Sequence, residues 1–387
     1  MPQPLRPFGL ERYLAPREFK CIHPICVSDT ETWKLSELLE HADADTLARW
    51  NDLGLGYTTT QGLEVLREEI AARHFTKTGK DDMLLDAPGD AMYVAMRALL
   101  RPGDHVICTF PGYQSLYETA LSIGCEVTHW EAQETPEGVP VFDPASLLTL
   151  VRPTTRMITV NFPHNPTGFL PSHEEWARVV AAASGVGAYL FADEMYRGLE
   201  AEAADRLVAA ADAYERGISL GGLSKSVGLP GLRIGWLACR DPEVIKRALE
   251  VKDFTTICSS APSEILALAA LRRWDLLMHR QLGILRTNAA ALCRFGERWA
   301  RLLGVYATRG GTIAFPKVLV PGLSVDALAD GLLEEEGALI MPGSVYEAPQ
   351  HAQRLRLGFG RANFPEGLAA FDRYLERHYG EYAAVSE

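Results

Sequence analysis

No apolar run reaches the roughly 18 residues that a membrane-spanning helix needs, and the longest, such as 187–192, have the length of strands. Residues 1–17 mix Pro, Arg and Leu and lack the apolar stretch and cleavage site of an export signal, so an unexported, cytoplasmic protein is expected. Positive charge is scarce. The 38 Lys and Arg stand against 50 Asp and Glu, and the net charge of −12 with a pI near 5.4 disfavours a nucleic-acid or anionic-membrane surface. A local cationic pocket for a small phosphate remains compatible with that balance. The seven Cys show neither CxxC nor Cys/His spacing, so reduced thiols packed as small apolar groups are expected, and no metal site. Gly (33) and Pro (23) are too few and too scattered for a collagen-like or linker protein, and no repeat or low-complexity tract occurs.

What is present is ordinary globular material: 387 residues, 47% apolar and 23% charged, enough for two or three domains. Helical spacing at 62–75, 91–100, 114–123 and 174–184 alternates with strand-length apolar runs at 105–109, 126–130, 157–161, 188–192 and 217–221. Such alternation predicts an α/β fold, a three-layer α/β/α domain around a mostly parallel sheet. Past residue 262 the texture changes. A long Ala/Leu/Arg-rich helical stretch (262–301) leads to strands at 312–315 and 355–359 and helices at 325–336 and 366–378, a smaller α+β domain. The division read from this is an N-terminal segment (1–40) packing with the small domain, a large domain (41–285) and the small C-terminal domain (286–387).

In an α/β sheet, ligands bind in the loops just beyond the carboxyl ends of the strands. Three consecutive strands are followed by Asn161-Phe-Pro-His-Asn-Pro-Thr-Gly168, by Ala192-Asp-Glu-Met-Tyr196, and by Gly221-Gly-Leu-Ser-Lys-Ser-Val-Gly-Leu-Pro-Gly-Leu-Arg233. They deliver an amide (Asn165), a carboxylate with a phenol (Asp193, Tyr196), and a lysine with an arginine eight residues on (Lys225, Arg233). Successive groups lie roughly thirty residues apart, about one βαβ unit.

These segments resemble the fold-type I pyridoxal-phosphate enzymes of the aspartate aminotransferase class I/II superfamily, from about Tyr57 to Arg361. The resemblance implies pyridoxal 5'-phosphate as cofactor and Lys225 as the amine that forms a Schiff base with it and later moves the proton at the substrate Cα. It further implies Asp193 at the pyridine nitrogen, with Asn165 and Tyr196 at the ring's phenolic oxygen. For the phosphate it implies Arg233, Ser224 and the backbone amides of Gly89, Asp90 and Ala91, where a helix begins. Tyr57, in Gly56-Tyr-Thr-Thr-Thr-Gln-Gly62, matches the tyrosine that reaches the neighbouring subunit's phosphate, which implies a homodimer. Tyr113, in Phe110-Pro-Gly-Tyr113, matches the aromatic stacked on the ring. Arg356, in Arg356-Leu-Gly-Phe-Gly-Arg361, matches the arginine that holds the substrate α-carboxylate, with Asn165 beside it.

Two positions depart from the family pattern. Gly222 stands where a Ser or Thr usually adds a phosphate hydroxyl, and Ala87-Pro-Gly-Asp90 replaces the usual polar phosphate binder, with Asp90 read as a helix N-cap. His164 reads as a structural histidine, and Cys258 as a bystander. The reaction the resemblance implies is transfer of an amino group between an L-amino acid and a 2-oxo acid. The stretch Asp253-Phe-Thr-Thr-Ile-Cys258 carries no arginine, which speaks against a dicarboxylate substrate. Asp29, Glu31 and Asp253 are candidates for a cationic side chain, or simply solvated acidic faces. The same motifs resemble capreomycidine synthase-like members, which eliminate from and cyclise hydroxylated arginines in natural-product biosynthesis, and that is the alternative. A DNA-binding regulatory fusion is disfavoured because no basic recognition helix precedes the core.

Overall fold

The computed structural model describes residues 3–384. Its centre is a seven-stranded sheet built from β1 (Met83–Asp86), β2 (His105–Phe110), β3 (Glu126–Glu131), β4 (Thr155–Asn161), β5 (Tyr189–Asp193), β6 (Gly217–Gly222) and β7 (Gly235–Ala238). Their spatial order is β1-β7-β6-β5-β4-β2-β3, and every neighbour pair is parallel except the two made by β7. Strands β2, β5 and β6 are buried at every position, as a sheet covered on both faces requires.

Alternation sorts the two faces. Val106, Cys108 and Phe110 of β2, with Tyr189 and Phe191 of β5, join a core that includes α3 (Pro88–Leu99), α4 (Ser115–Ile123) and α6 (Pro242–Lys252). The intervening Ile107, Leu190 and Ala192 join a separate core with Trp176, Val179 and Ala183 of α5 (His173–Gly185). Burying each large apolar side chain contributes about 1.5–3 kcal/mol, so a one-residue slip of any central strand would exchange both cores. Helix α5 starts at a capping box, Ser172 accepting from the Glu175 amide while the Glu175 carboxylate accepts from the Ser172 amide.

The expected elements recur with shifted ends, and two strands of the central sheet were not foreseen. β1 and β7 are four residues each, too short for a periodic signal. The long helical stretch divides at Arg273 into α7 (Ala261–Arg272), which packs on α2 (Glu64–His74), and α8 (Trp274–Arg298). Beyond it, β8 (Ile313–Ala314), β9 (Met341–Pro342) and β10 (Leu355–Gly358) form an antiparallel sheet packed with α9 (Val325–Glu336) and α10 (Phe364–Tyr379).

The N-terminal residues bridge both units. Helix α1 (Gly9–Leu14) packs Leu10 and Leu14 with Phe315, Met341 and Tyr346 of the small unit. Before it, Arg6 pairs with Glu118 of α4 at 2.6 Å and with Glu347 at 3.1 Å. Residues 25–31 then run against two glycine-marked segments, the end of β10 and the loop after Lys225. A Cβ at Gly358 would overlap the Val27 carbonyl oxygen, and one at Gly228, whose φ is +72°, the Glu31 carbonyl oxygen. No helix among the described residues is long and apolar enough to cross a membrane.

Candidate active site

The register of the sheet decides what meets at its carboxyl edge. Asn161, the last residue of β4, pairs with Asp193, the last of β5, and Asp193 with Leu220 of β6. The loops that follow enter a cavity of roughly 570 Å³, within the range of small-molecule sites. Lys225, Asp193, Asn165, Tyr196, Tyr113, Arg233, Ser224, Gly89 and Arg356 all line it. Nine of the residues singled out from the sequence therefore surround one space.

The amine of Lys225 donates to Ser28 Oγ at 3.0 Å, and burial holds its pKa below the ordinary lysine value. Thr30 Oγ1 donates to the Lys225 carbonyl at 2.8 Å. Asp193 accepts the Met195 amide at 3.1 Å, and burial pushes its carboxyl up to about 7. A buried carboxyl at that value readily ionises once a cation is set beside it.

Asn161 ties two loops together: its Nδ2 donates to the Asp193 carbonyl at 2.9 Å, and its Oδ1 accepts the Asn165 amide at 2.7 Å. Asn165 Oδ1 accepts from Arg356 Nη1 at 3.2 Å and from the Tyr346 hydroxyl at 3.3 Å. Arg356 is buried, with Nε donating to the Cys26 carbonyl at 2.9 Å and Nη1 to the Tyr346 hydroxyl at 3.1 Å. The two neighbouring arginines are each engaged by a carboxylate. Arg354 bonds the Phe315 carbonyl at 2.7 Å and Glu134 at 2.9 Å, and Arg361 forms a double contact with Asp29. Tyr113 packs against Phe8 with ring centroids 5.0 Å apart, and burial raises its phenol to about 12.

Whether these residues suit a phosphate-bearing pyridine is answered by cavity groups with donors to spare. Ser224 Oγ is buried without a hydrogen-bond partner. Arg233 is exposed to the cavity, carries no ion pair among the described residues, and is held in left-handed backbone at φ 53°. Gly89 has open space where a Cβ would stand, at the N-terminus of α3. A hydroxyl, a guanidinium and helix N-terminal amides are the donor set a phosphate takes, and the buried carboxyl suits a ring nitrogen that carries a proton. The residues fit the group.

Two expectations need correction. Asp90 is not the N-cap of α3. Ala87 holds that position and Pro88 starts the helix, its fixed φ and missing N–H suiting the first turn. Asp90 lies in that turn, exposed and off the cavity lining. The Ala91 amide is already bonded to the Ala87 carbonyl at 2.8 Å, which leaves the Gly89 and Asp90 amides as donors. At Gly222 the space a side chain would take is crowded by Pro88 and Met195, which accounts for the missing hydroxyl. Tyr57 is 89% exposed and lies in a separate groove with Leu55 and Cys258. His164 sits in an aromatic cluster with Phe142 and is held neutral by burial, its pKa pushed down to about 3.

Sequence reasoning missed Ser28, Asn161 and Tyr346. Asn161 opens the quoted strand-end segment and was legible there. Ser28 and Tyr346 reach the cavity through tertiary packing and carry no motif.

With the geometry described, comparisons identify its relatives. Residues 35–368 match the family profile of aminotransferase class I and II. Capreomycidine synthase of Streptomyces vinaceus is 30% identical over 382 residues, 97% of this chain and 96% of that protein. Among solved structures, a PLP-dependent aminotransferase from Streptococcus suis superposes with a TM-score of 0.88 at 29% identity, covering 97% of this chain and 99% of that one. A PLP-dependent cyclase, OrfR, superposes with a TM-score of 0.87 at 28% identity over the same shares.

Proposed function

We propose, from the premise that the chain belongs to the class I and II aminotransferases and depends on pyridoxal phosphate, that it moves an amino group between an L-amino acid and a 2-oxo acid. The observation that carries this reading is the convergence of Lys225, Asp193, Asn165 and Arg356 on one cavity. Pyridoxal phosphate, when bound, supplies the electron sink that lets a bond at the substrate Cα break heterolytically.

The chain's own groups do the rest. Lys225 Nζ would attach the cofactor and, when freed, take and return the Cα proton, a task its burial-lowered pKa favours. Asp193 keeps the ring nitrogen protonated. Asn165, whose Oδ1 is engaged by Arg356 and Tyr346, has its Nδ2 left for the ring oxygen, together with Tyr196. Ser224, Arg233 and the amides of Gly89 and Asp90 hold the phosphate, and Tyr113 covers the ring. Arg356 takes the α-carboxylate. Tyr57, far from its own cavity, serves the site of a second subunit in a homodimer. The division into 41–285 and 286–387, with 1–40 laid across, is part of the same reading, as is a cytoplasmic location in keeping with seven free thiols.

A second reading has its own support in the near-full-length similarity to capreomycidine synthase and to the cyclase. In it, the same deprotonation by Lys225 leads to loss of a side-chain hydroxyl and ring closure on a hydroxylated, arginine-type amino acid.

The test begins with purified protein incubated with pyridoxal phosphate. A visible absorption band, and a cofactor-sized mass on the Lys225 peptide after borohydride reduction, are expected for the native chain and not for Lys225→Ala. Amino acids are then supplied with and without a 2-oxo acid. Turnover that stops without it supports transfer, and continued release of water or ammonia supports elimination. No covalent mass at Lys225 sinks both readings.

A further inference from the structure

We propose that Glu18 selects the substrate's side chain and that the group it takes is cationic, a guanidinium or ammonium at the end of an aliphatic stem; this rests on the reading of the cavity as an amino-acid site. Glu18 enters the cavity from a strap that crosses its mouth. Upstream, the strap is fixed to the loop beside Tyr113: Gln114 Nε2 donates to the Pro7 carbonyl at 3.0 Å, and Gln114 Oε1 accepts the Gly9 amide at 2.8 Å. Leu10, Leu14 and Glu18 recur at four-residue spacing and all line the cavity. Two apolar side chains and then a carboxylate are what a methylene stem with a charged tip would meet.

Among the carboxylates that line the cavity, Glu18 is the half-buried one without a partner among the described residues, whereas Glu11, also unpaired, is exposed. Arg356 is built into the contact with Asn165, Tyr346 and the Cys26 carbonyl, and Asp193 lies under the cofactor position. Asp29 and Arg361 neutralise each other through contacts of 2.8 and 3.1 Å. Glu18 makes no side-chain hydrogen bond or ion pair among the described residues, although it is half-buried. Burial raises its carboxyl pKa, Arg361 pulls it back, and Asp29 and Glu11 push it further up. Water only partly solvates such a carboxylate, and an incoming cation would satisfy it, whereas a side-chain carboxylate would face Glu18, Glu11 and Asp29 together. Of the acidic residues singled out from the sequence, Asp29 is already paired, and neither Glu31 nor Asp253 lines the cavity.

The experiment uses the cofactor-loaded enzyme and compares kcat/KM for arginine, lysine, norleucine and glutamate. The native enzyme is expected to prefer arginine or lysine over norleucine and to reject glutamate. Glu18→Gln is expected to lower the arginine-to-norleucine ratio by about tenfold to a hundredfold. The visible band of the cofactor on Lys225 verifies that the variant is folded and loaded. A loaded enzyme that prefers norleucine or glutamate, or a ratio unmoved by Glu18→Gln, overturns the assignment of Glu18 and leaves the cavity reading standing. A chain that never takes the cofactor at Lys225 overturns that reading, and the assignment with it.

Discussion

The amine of Lys225 donates to Ser28 Oγ at 3.0 Å, joining residues 197 positions apart. The contact belongs to a run in which Cys26, Ser28 and Thr30 each bond a residue of the cavity wall, Arg356 or Lys225. The N-terminal segment is therefore a wall of the site. Its close fit to the Gly358 and Gly228 segments fixes the distance at which Ser28 meets the amine.

Ser28 accepts from the Lys225 amine and so favours its charged form, opposing the burial that lowers its pKa. Ser28→Ala is expected to lower that pKa further and move the acid limb of the kcat profile to lower pH. The loss of one hydrogen bond predicts about a two- to tenfold fall in kcat. Steady-state rates between pH 5 and 9 decide this, and a limb that moves to higher pH contradicts it.

Tyr346 stands behind Arg356, accepting from its Nη1 while donating to Asn165. Tyr346→Phe should leave the guanidinium charged but less firmly aimed, raising KM for the amino acid about three- to tenfold with a smaller change in kcat. Arg356→Lys keeps the charge and loses the planar fork, so kcat/KM should fall by about a hundredfold or more. A Tyr346→Phe enzyme whose kcat falls while KM holds would place the phenol in the chemistry instead.

Burial lifts the Asp193 carboxyl to about 7 in the cofactor-free protein. An acid raised in the fold binds more protons there than in the unfolded chain. Its share of stability is therefore present below about pH 4 and is lost as pH rises towards 7. Asp193→Asn removes that loss. The cofactor-free variant should match the native chain near pH 4 and exceed it at pH 8 by on the order of 2–4 kcal/mol. Glu264 is raised to about 7 in both proteins and cancels in the difference. Urea titrations at the two pH values measure it, and a variant less stable at pH 8 refutes the assignment. The same substitution should weaken cofactor binding, so stability and affinity move in opposite directions.

How much of this was legible depends on where each signal lies. The sheet edge was readable because β4, β5 and β6 each hold a short apolar stretch followed by a polar group: Asn161, Asp193 and the loop to Lys225. Strands β1 and β7 were not, since four residues hold no period. Asp90 was misread because a polar residue near a helix start suggests a cap, whereas Pro88 had already begun the helix. Ser28, Tyr346 and Glu18 were invisible for a different reason. Each reaches the site by packing between segments distant in sequence, and no spacing rule links residue 28 to residue 225.

Tyr57 is 89% exposed and lies outside the cavity that Lys225 lines, so on its own chain it is remote from the chemistry. If it serves a neighbouring site, two damaged chains should repair one another. Lys225→Ala has no amine, and Tyr57→Ala weakens the phosphate grip of the opposite site. In a hybrid dimer one site carries both lesions and the other carries neither. Random exchange of subunits should then restore activity to about a quarter of the native level, above that of either variant alone. Sedimentation of the native protein should give a dimer, and mixing that restores nothing would leave Tyr57 a surface residue without a part in the reaction.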